Sequence, residues 1–272
     1  MMVDNPNNKL LIDLRSMAEE IATKAADFLR GEREAASQEV LTKEHIHDVV
    51  TQADKDSEEL VTDAIIKFRP NDGIIGEEGS SRTSQSGYTW VIDPCDGTRN
   101  FVHGGEGNYG VSIGIFYNEM PTVGVIYDVQ GDALYSAANG HGATRDGAEI
   151  RVSGAQSLRE TTIAFDGAMD FATKNFHLKV LRELWPQVGD VRRIGCTSVD
   201  YCRVADGTVD GTFGHANGIW DIAAGVVLVK EAGGRVGSSR GNIPLALDNI
   251  GATPAIFDDL QRIIASVGPL QR

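Results

Sequence analysis

Apolar residues recur at three-to-four spacing from the start of the chain. Leu10, Leu14, Met17, Ile21, Ala25 and Phe28 share one face, which predicts a long amphipathic first helix ending near Gly31. The same period in Leu60, Val61, Ala64, Ile65 and Phe68 predicts a second helix over 56–68, stopped by Pro70. A short apolar run at 73–76 precedes two glutamates, and the polar stretch 80–87 reads as a surface loop. From Tyr109 to Arg145 the period falls to two. Val111, Ile113 and Ile115 alternate with small residues, and strand-like runs at 122–128 and 133–137 flank a Gly131-Asp132 turn.

The second half alternates differently. Strands are predicted at 161–165, 191–194 and 208–213, with helices at 172–185 and 198–205. Asp221 opens a strongly apolar helix through Ile222, Val226, Val227 and Val229, closed by Gly233-Gly234, and Phe257, Leu260, Ile263, Ile264 and Val267 mark a last helix. The pattern predicts an α/β fold with helices layered against two sheets, the first largely antiparallel and the second mixed. It reads as one compact unit over 1–272 with approximate lobes at 8–150 and 151–272.

Composition narrows the functional classes. The 272 residues suffice for a sizeable core, and 41% apolar content is ordinary for a globular protein. A net charge of −14, from 39 acidic and 25 basic residues, repels polyanions, so no nucleic-acid partner is expected. No stretch approaches the roughly 20 apolar residues of a membrane span, so no membrane association is expected. Residues 1–14 lack a basic segment followed by an apolar core, so no leader is expected. The three cysteines have no zinc-ligand spacing. Reduced thiols and a cytoplasmic location follow as expectations, with Cys196 and Cys202 read as buried core residues.

Residues 90–101 carry the strongest chemical signal. An apolar strand stops at Asp93 and Pro94, Asp96 follows, and a Gly97-Thr98 step comes next. Carboxylates are the natural ligands of Mg2+, which prefers oxygen and shares substrate phosphates. The Cys95 carbonyl lies between the two acids, Gly97 admits close backbone approach, and Thr98 starts a short helix whose N–H groups suit a phosphate. A bare D-x-x-D is commonly a solvated turn or cap; the longer context makes the pair specific.

Gly76-Glu77-Glu78 ends the preceding apolar run; alone the two acids read as facing solvent, whereas a neighbouring pair of strands would bring Glu77 and Asp93 to one rim. Asp221 reads equally as a helix cap or as a metal ligand. His103 follows the motif and reads as packing or facing solvent rather than lining the rim, and His45, His47, His141 and His177 show no ligand spacing.

Residues 90–101 resemble the W-hydrophobic-D-P-x-D-G-T-x-N-F motif of the inositol monophosphatase family, magnesium-dependent and lithium-sensitive phosphatases. Trp220-Asp-Ile-Ala-Ala-Gly225 with Glu231-Ala-Gly-Gly234 resembles that family's second motif. Gly76-Glu-Glu78 is similar to its G-E-E element, and Asp48-Val-Val-Thr51 with Asp54 to its D-x-V-T-x-x-D element. The resemblance implies a layered α-β-α-β-α sandwich, a homodimer, and hydrolysis of inositol 1-phosphate by a metal-activated water. Glu77, Asp93 and the Cys95 carbonyl would hold one Mg2+; Asp93, Asp96 and Asp221 a second; a weaker third ion would share Glu77. Asp54 and Thr98 would orient the water, with Glu77 also in the catalytic set. The N–H groups of Gly97 and Thr98 would cradle the phosphate. Asp96, Gly195, Cys196, Thr197, Gly214 and His215 would face the substrate.

Four positions depart from the family pattern. Arg99 replaces a small hydroxylic residue, Cys95 an aliphatic one, and Gly104-Gly-Glu-Gly107 follows His103 where an aromatic-proline step is common. Gly214, seven residues before Asp221, replaces a glutamate that inositol-specific members use for ring hydroxyls. His215 or Asn217 could substitute, or the substrate differs. Histidinol phosphate, fructose 1,6-bisphosphate, 3′-phosphoadenosine 5′-phosphate, a broad set of sugar phosphates, and a regulatory binding role of the same fold stay open.

Overall fold

The first helix, α1 (Asn8–Ala36), runs past Gly31 instead of ending there. A lone exposed glycine costs only about 1 kcal/mol in a helix, and the helix formers that follow it carry the helix on. Its buried face is Leu11, Leu14, Ala18, Ile21, Ala22, Ala25 and Leu29, whose small residues let the helix lie close to a sheet. The computed structural model describes residues 8–36, 41–42, 49–103, 107–167, 170–241 and 248–269. His45, His47, Asp48 and the Gly104-Gly-Glu106 stretch lie outside the described residues.

Two short strands, β1 (Leu41–Thr42) and β2 (Val49–Val50), pair antiparallel. The second helix, α2 (Gln52–Phe68), starts before the predicted position 56 because Thr51 and Asp54 form a reciprocal capping box.

Eight strands among the described residues make the larger sheet. They are β3 (Gly73–Gly76), β4 (Ser81–Arg82), β5 (Tyr88–Asp96), β6 (Gly110–Tyr117), β7 (Met120–Asp128), β8 (Ala133–Ala138), β9 (Ala143–Arg145) and β10 (Ala148–Ile150), in the order β10-β9-β8-β7-β6-β5-β3-β4. Only the β3–β5 pair is parallel, and β4 occupies part of the predicted 80–87 loop. The short helix α3 (Thr98–His103) follows β5 directly.

The smaller sheet has five described strands: β11 (Thr162–Gly167), β12 (Asp190–Arg192), β13 (Gly211–His215), β14 (Arg235–Ser238) and β15 (Asn249–Ala252), in the order β12-β11-β13-β15-β14. Its β11 neighbours are parallel and the rest antiparallel, the mixed pattern expected. Four helices complete the chain: α4 (Phe171–Leu184), α5 (Thr197–Ala205), α6 (Ala223–Glu231) and α7 (Pro254–Ser266).

Three apolar layers hold these elements. Faces of α1 and α2 bury Leu14, Ile21, Val61 and Ile65 against Trp90, Ile113 and Val125 of the larger sheet. On its other face, α5 and α6 fill the space between the sheets with Tyr201, Val204, Val226 and Leu228. Helices α4 and α7 cover the outside of the smaller sheet through Val180, Leu184, Phe257 and Leu260. Each such fully buried side chain contributes roughly 1.5–3 kcal/mol of transfer free energy. The resulting helix-sheet-helix-sheet-helix stack is the layered fold expected.

Two glycines set the central spacing. Gly114 and Gly124 face each other in register on β6 and β7. A Cβ on either would run into Ala223 or Ala224, so the start of α6 rests directly on this bare patch of sheet. That contact fixes the turn before α6, which carries Asp221, beside the end of β5.

Candidate active site

Strand β5 does not stop at Pro94. It continues to Asp96 through an irregularity in which Asp93 pairs with Ser112 and Asp96 with Gly110, leaving one extra residue on β5. A bulge tolerates the missing proline N–H and re-aims the side chains around it. Asp93 is almost fully buried, and its Oδ1 accepts from the Cys95 N–H at 3.0 Å. Gly97, at φ +85°, then turns the chain into α3.

The parallel β3–β5 pairing brings Glu77 to the same rim. Gly76 lies opposite Ile92, and the Glu77 N–H donates to the Ile92 carbonyl at 3.1 Å. Glu77 also makes a side-chain hydrogen bond with Asp93. Two carboxyl groups this close must share a proton or a cation.

Asp221 arrives from the opposite side of the sheet. It does not cap α6 as its position suggested: it closes a 3-10 turn, Ile219–Asp221, and its Oδ2 accepts from the Asn217 N–H at 2.7 Å. The carboxylate is turned back toward the N–H groups of Asn217 and Gly218, ahead of the turn. Asp96 reaches toward the smaller sheet, where its Oδ2 accepts from the Ser198 N–H at 2.5 Å and from the Cys196 thiol at 3.3 Å.

The electrostatics tie these acids together. Burial, then the charges of Glu77, Asp96 and Asp221, push the Asp93 carboxyl well above the usual carboxylate range. Burial followed by Asp96 and Glu77 does the same to Asp221, against the N–H groups of Asn217 and Gly218. Burial raises Asp96 too, opposed by Ser198 and Cys196. Among the described residues, no three His, Cys, Asp or Glu side chains stand in a closed ion-holding cage. One oxygen each of Asp93, Asp96 and Asp221 is engaged by a backbone N–H instead. The donor set is nonetheless all oxygen and heavily anionic, which fits a hard divalent cation such as Mg2+.

Asp54 and Thr98 stand next to this group. The Thr98 hydroxyl donates to Asp54 Oδ1 and to the Cys95 carbonyl, each at 3.0 Å. Asp54 is buried, and its Oδ2 accepts from the Thr51 N–H at 2.8 Å and from the Thr51 hydroxyl. The cap therefore leaves Oδ1 for Thr98.

The loop before α5 is held by a side chain of α3. Asn100 Nδ2 lies 2.7 Å from the Asn108 oxygen, 2.9 Å from Ile194 and 3.2 Å from Gly195. Gly195 takes φ +83°, Cys196 precedes α5 and Thr197 begins it, and both Cys196 and Thr197 hydrogen-bond to Asp96. Cys196 is thus more than a core residue. Cys95, Cys196 and Cys202 are all buried free thiols, and burial raises each thiol pKa well above its ordinary value. His215 ends β13 beside Gly167, and His103 is exposed at the end of α3.

Sequence reasoning missed Asp166 and Arg193, which form an ion pair at 3.0 Å. Gly214 lies opposite Asp166 in the β11–β13 register, and a Cβ there would run into the Asp166 carbonyl. Burial raises the Asp166 carboxyl to about 6, opposed by Arg193 and reinforced by Asp96. No local pattern marks this aspartate, because it meets Arg193 only through strand pairing.

Acids gathered where β3, β5 and the α6 turn meet, beside a hydroxyl–carboxylate pair, are the equipment of a phosphate-ester hydrolase. The chain belongs to the inositol monophosphatase family, whose sequence model matches residues 11–266. An inositol-1-monophosphatase of Mycobacterium bovis is 36% identical over 268 residues, covering 91% of each chain. A fructose-1,6-bisphosphatase/inositol-1-monophosphatase of Aquifex aeolicus is 38% identical over 188 residues, 69% of this chain and 71% of its own. The crystal structure of the extragenic suppressor protein suhB from Bartonella henselae aligns with a TM-score of 0.86 at 30% identity, covering 93% of this chain and 98% of that one. The protein is a phosphatase by this membership, acting on a small phosphorylated substrate. No helix among the described residues is long and apolar enough to cross a membrane.

Proposed function

We propose that the protein is a Mg2+-dependent phosphomonoesterase that hydrolyses inositol 1-phosphate to inositol and phosphate. The observation that carries this reading is the burial of Asp93 among Glu77, Asp96 and Asp221, whose charges all oppose its ionisation. Such an arrangement is costly without a cation and favourable with one.

Glu77, Asp93 and the Cys95 carbonyl would hold one ion; Asp93, Asp96 and Asp221 a second; and Glu77 would share a weaker third. Bound there, divalent cations supply positive charge that acidifies water and offsets charge on the transferring phosphoryl group. The remaining work falls to the chain. Thr98 commits its hydroxyl proton to Asp54 and the Cys95 carbonyl, so its oxygen faces the site as an acceptor that orients the attacking water. The N–H groups of Gly97 and Thr98 receive phosphate oxygens. Thr197, Cys196 and Gly195 face the alcohol, with His215 and Gly214 behind them. Residues 8–150 and 151–272 act as two lobes of one catalytic unit. Lithium at millimolar concentration inhibits, the three free thiols suit the reducing cytoplasm, and the protein pairs as a homodimer.

Gly214 favours a second reading of the substrate. The position opposite Asp166 has no room for a side chain, so it offers no acceptor to ring hydroxyls. Fructose 1,6-bisphosphate, named in the Aquifex aeolicus relative, then competes, as do histidinol phosphate and 3′-phosphoadenosine 5′-phosphate. The intact acids and the Asp54–Thr98 pair weigh against a purely regulatory binding role. A phosphate-release panel of these esters, with and without Mg2+, tests both readings. Inositol 1-phosphate leading in kcat/KM supports the first, and near-equal values across the panel support the second. No release from any ester sinks both.

A further inference from the structure

The buried face of α2 holds more than Asp54. One turn further along, Glu58 is 3% exposed, and its carboxylate reaches across to the turn that carries Glu77. Its Oε2 accepts from the Glu78 N–H and its Oε1 from the Ser80 N–H, both at 2.8 Å. The Gly76 N–H closes the same turn on the Ser80 carbonyl at 2.8 Å. Glu77 is thus held between two fixed neighbours, with its own N–H on Ile92.

The glycine at 76 has a steric reason. A Cβ there would run into the Glu58 carboxylate, so the carboxylate occupies the space a side chain would take. The adjacent Ser57 hydroxyl donates to the Pro94 carbonyl at 3.3 Å. One stretch of α2 therefore grips the ends of both β3 and β5, the two strands whose acids meet at the rim.

We propose that Glu58 is a positioning residue that fixes Glu77 beside Asp93 and thereby sets the affinity of the site for divalent cations. The inference rests on the metal-dependent reading above. It acts through geometry: each N–H that Glu58 accepts belongs to a residue flanking or following Glu77, and a carboxylate satisfies both at once. A glutamine presents an NH2 group to one of those donors and loses that bond. Groups that orient metal-binding residues typically change affinity by about 10–100-fold when replaced.

The test is Mg2+ binding by isothermal titration calorimetry on the metal-free full-length protein, comparing wild type with Glu58→Gln and Gly76→Ala. Both variants should weaken Mg2+ binding by about tenfold or more. In assays, the Mg2+ concentration for half-activation should rise while kcat at saturating Mg2+ stays within about twofold, a split that a general loss of stability does not produce. Gly76→Ala keeps the carboxylate but crowds it, so it decides the matter if Glu58→Gln does not fold. Wild-type Mg2+ affinity in the folded variants overturns the role of Glu58 alone. Absence of Mg2+ binding by the wild-type protein overturns the metal reading, and this inference with it.

Discussion

The hydroxyl of Thr98 meets the carboxylate of Asp54 at 3.0 Å across 44 positions of sequence. Each group is set by its own element: Thr98 opens α3 after a β-bulge, while Asp54 is fixed by the Thr51 cap of α2. The pair is a joint between two separately built elements. Replacing Thr98 with valine keeps the shape and removes the hydroxyl. Steady-state assays should show kcat down by about a hundredfold with KM little changed, while Thr98→Ser keeps most activity. Near-wild-type kcat in the valine variant would remove Thr98 from the water-orienting role.

Asp93→Asn separates function from stability. The amide oxygen keeps the Cys95 N–H bond, and the substitution removes a carboxyl whose ionisation burial, Glu77, Asp96 and Asp221 all oppose. Mg2+-dependent phosphate release should vanish. Calorimetry of the metal-free protein should show Tm raised by roughly 2–4 °C, equivalent to about 1 kcal/mol. A lower metal-free Tm would mean the acids are not repelling one another.

His177 supplies a pH dependence independent of the acids at the rim. It lies in an aromatic nest, with Phe165, Phe213 and Phe176 at 5.6, 5.9 and 6.0 Å. Burial, then the charges of Arg193 and His215, lowers its pKa from 6.5 to about 4. The imidazole is held neutral in the fold. Its contribution to stability is complete above pH 6.5, where the unfolded chain is neutral too, and is lost as pH falls toward 4 and the unfolded chain protonates first. The loss is on the order of 3 kcal/mol, at about 1.4 kcal/mol per pH unit. Urea unfolding at pH 7.5 and 4.5 should show His177→Phe less acid-sensitive by this amount. Identical pH dependence in the two proteins would rule it out.

A stripe running along α4 onto its C-cap residue Trp185 predicts the assembly state. Phe171, Leu178 and Trp185 recur every seven positions and are 84%, 66% and 57% exposed. Large apolar side chains at that spacing share one helix face and favour burial against a partner. Light scattering should give a homodimer, and Leu178→Glu should shift it to monomer. A wild-type monomer at micromolar concentration, or an unaffected variant dimer, would count against pairing through α4.

Much of this was legible in the sequence because the signals are local. Apolar periodicity marked α1, α2 and α4, and the strand-turn-helix grammar of residues 90–101 marked the acids of β5. What escaped depends on partners far along the chain. No local pattern marks Glu58, whose role rests on its contacts with Glu78 and Ser80. Asp166 and Arg193 meet only through the β11–β12–β13 pairing. Strand β15 escaped because Asn249-Ile-Gly-Ala252 is short and buried throughout, so no alternation exposes it. Periodicity starts α2 too late because Thr51 and Asp54 form a cap as well as a motif, and Pro94 reads as a stop because a bulge has no signature in one strand alone.

The most direct test is phosphate release from inositol 1-phosphate by chelator-stripped protein, before and after Mg2+ is restored. Stripped protein should release no phosphate above the uncatalysed background, and millimolar Mg2+ should restore turnover. Undiminished turnover by stripped protein, or silence with Mg2+ on every ester of the panel, would mean that Glu77, Asp93, Asp96 and Asp221 are not the cation site of a phosphatase.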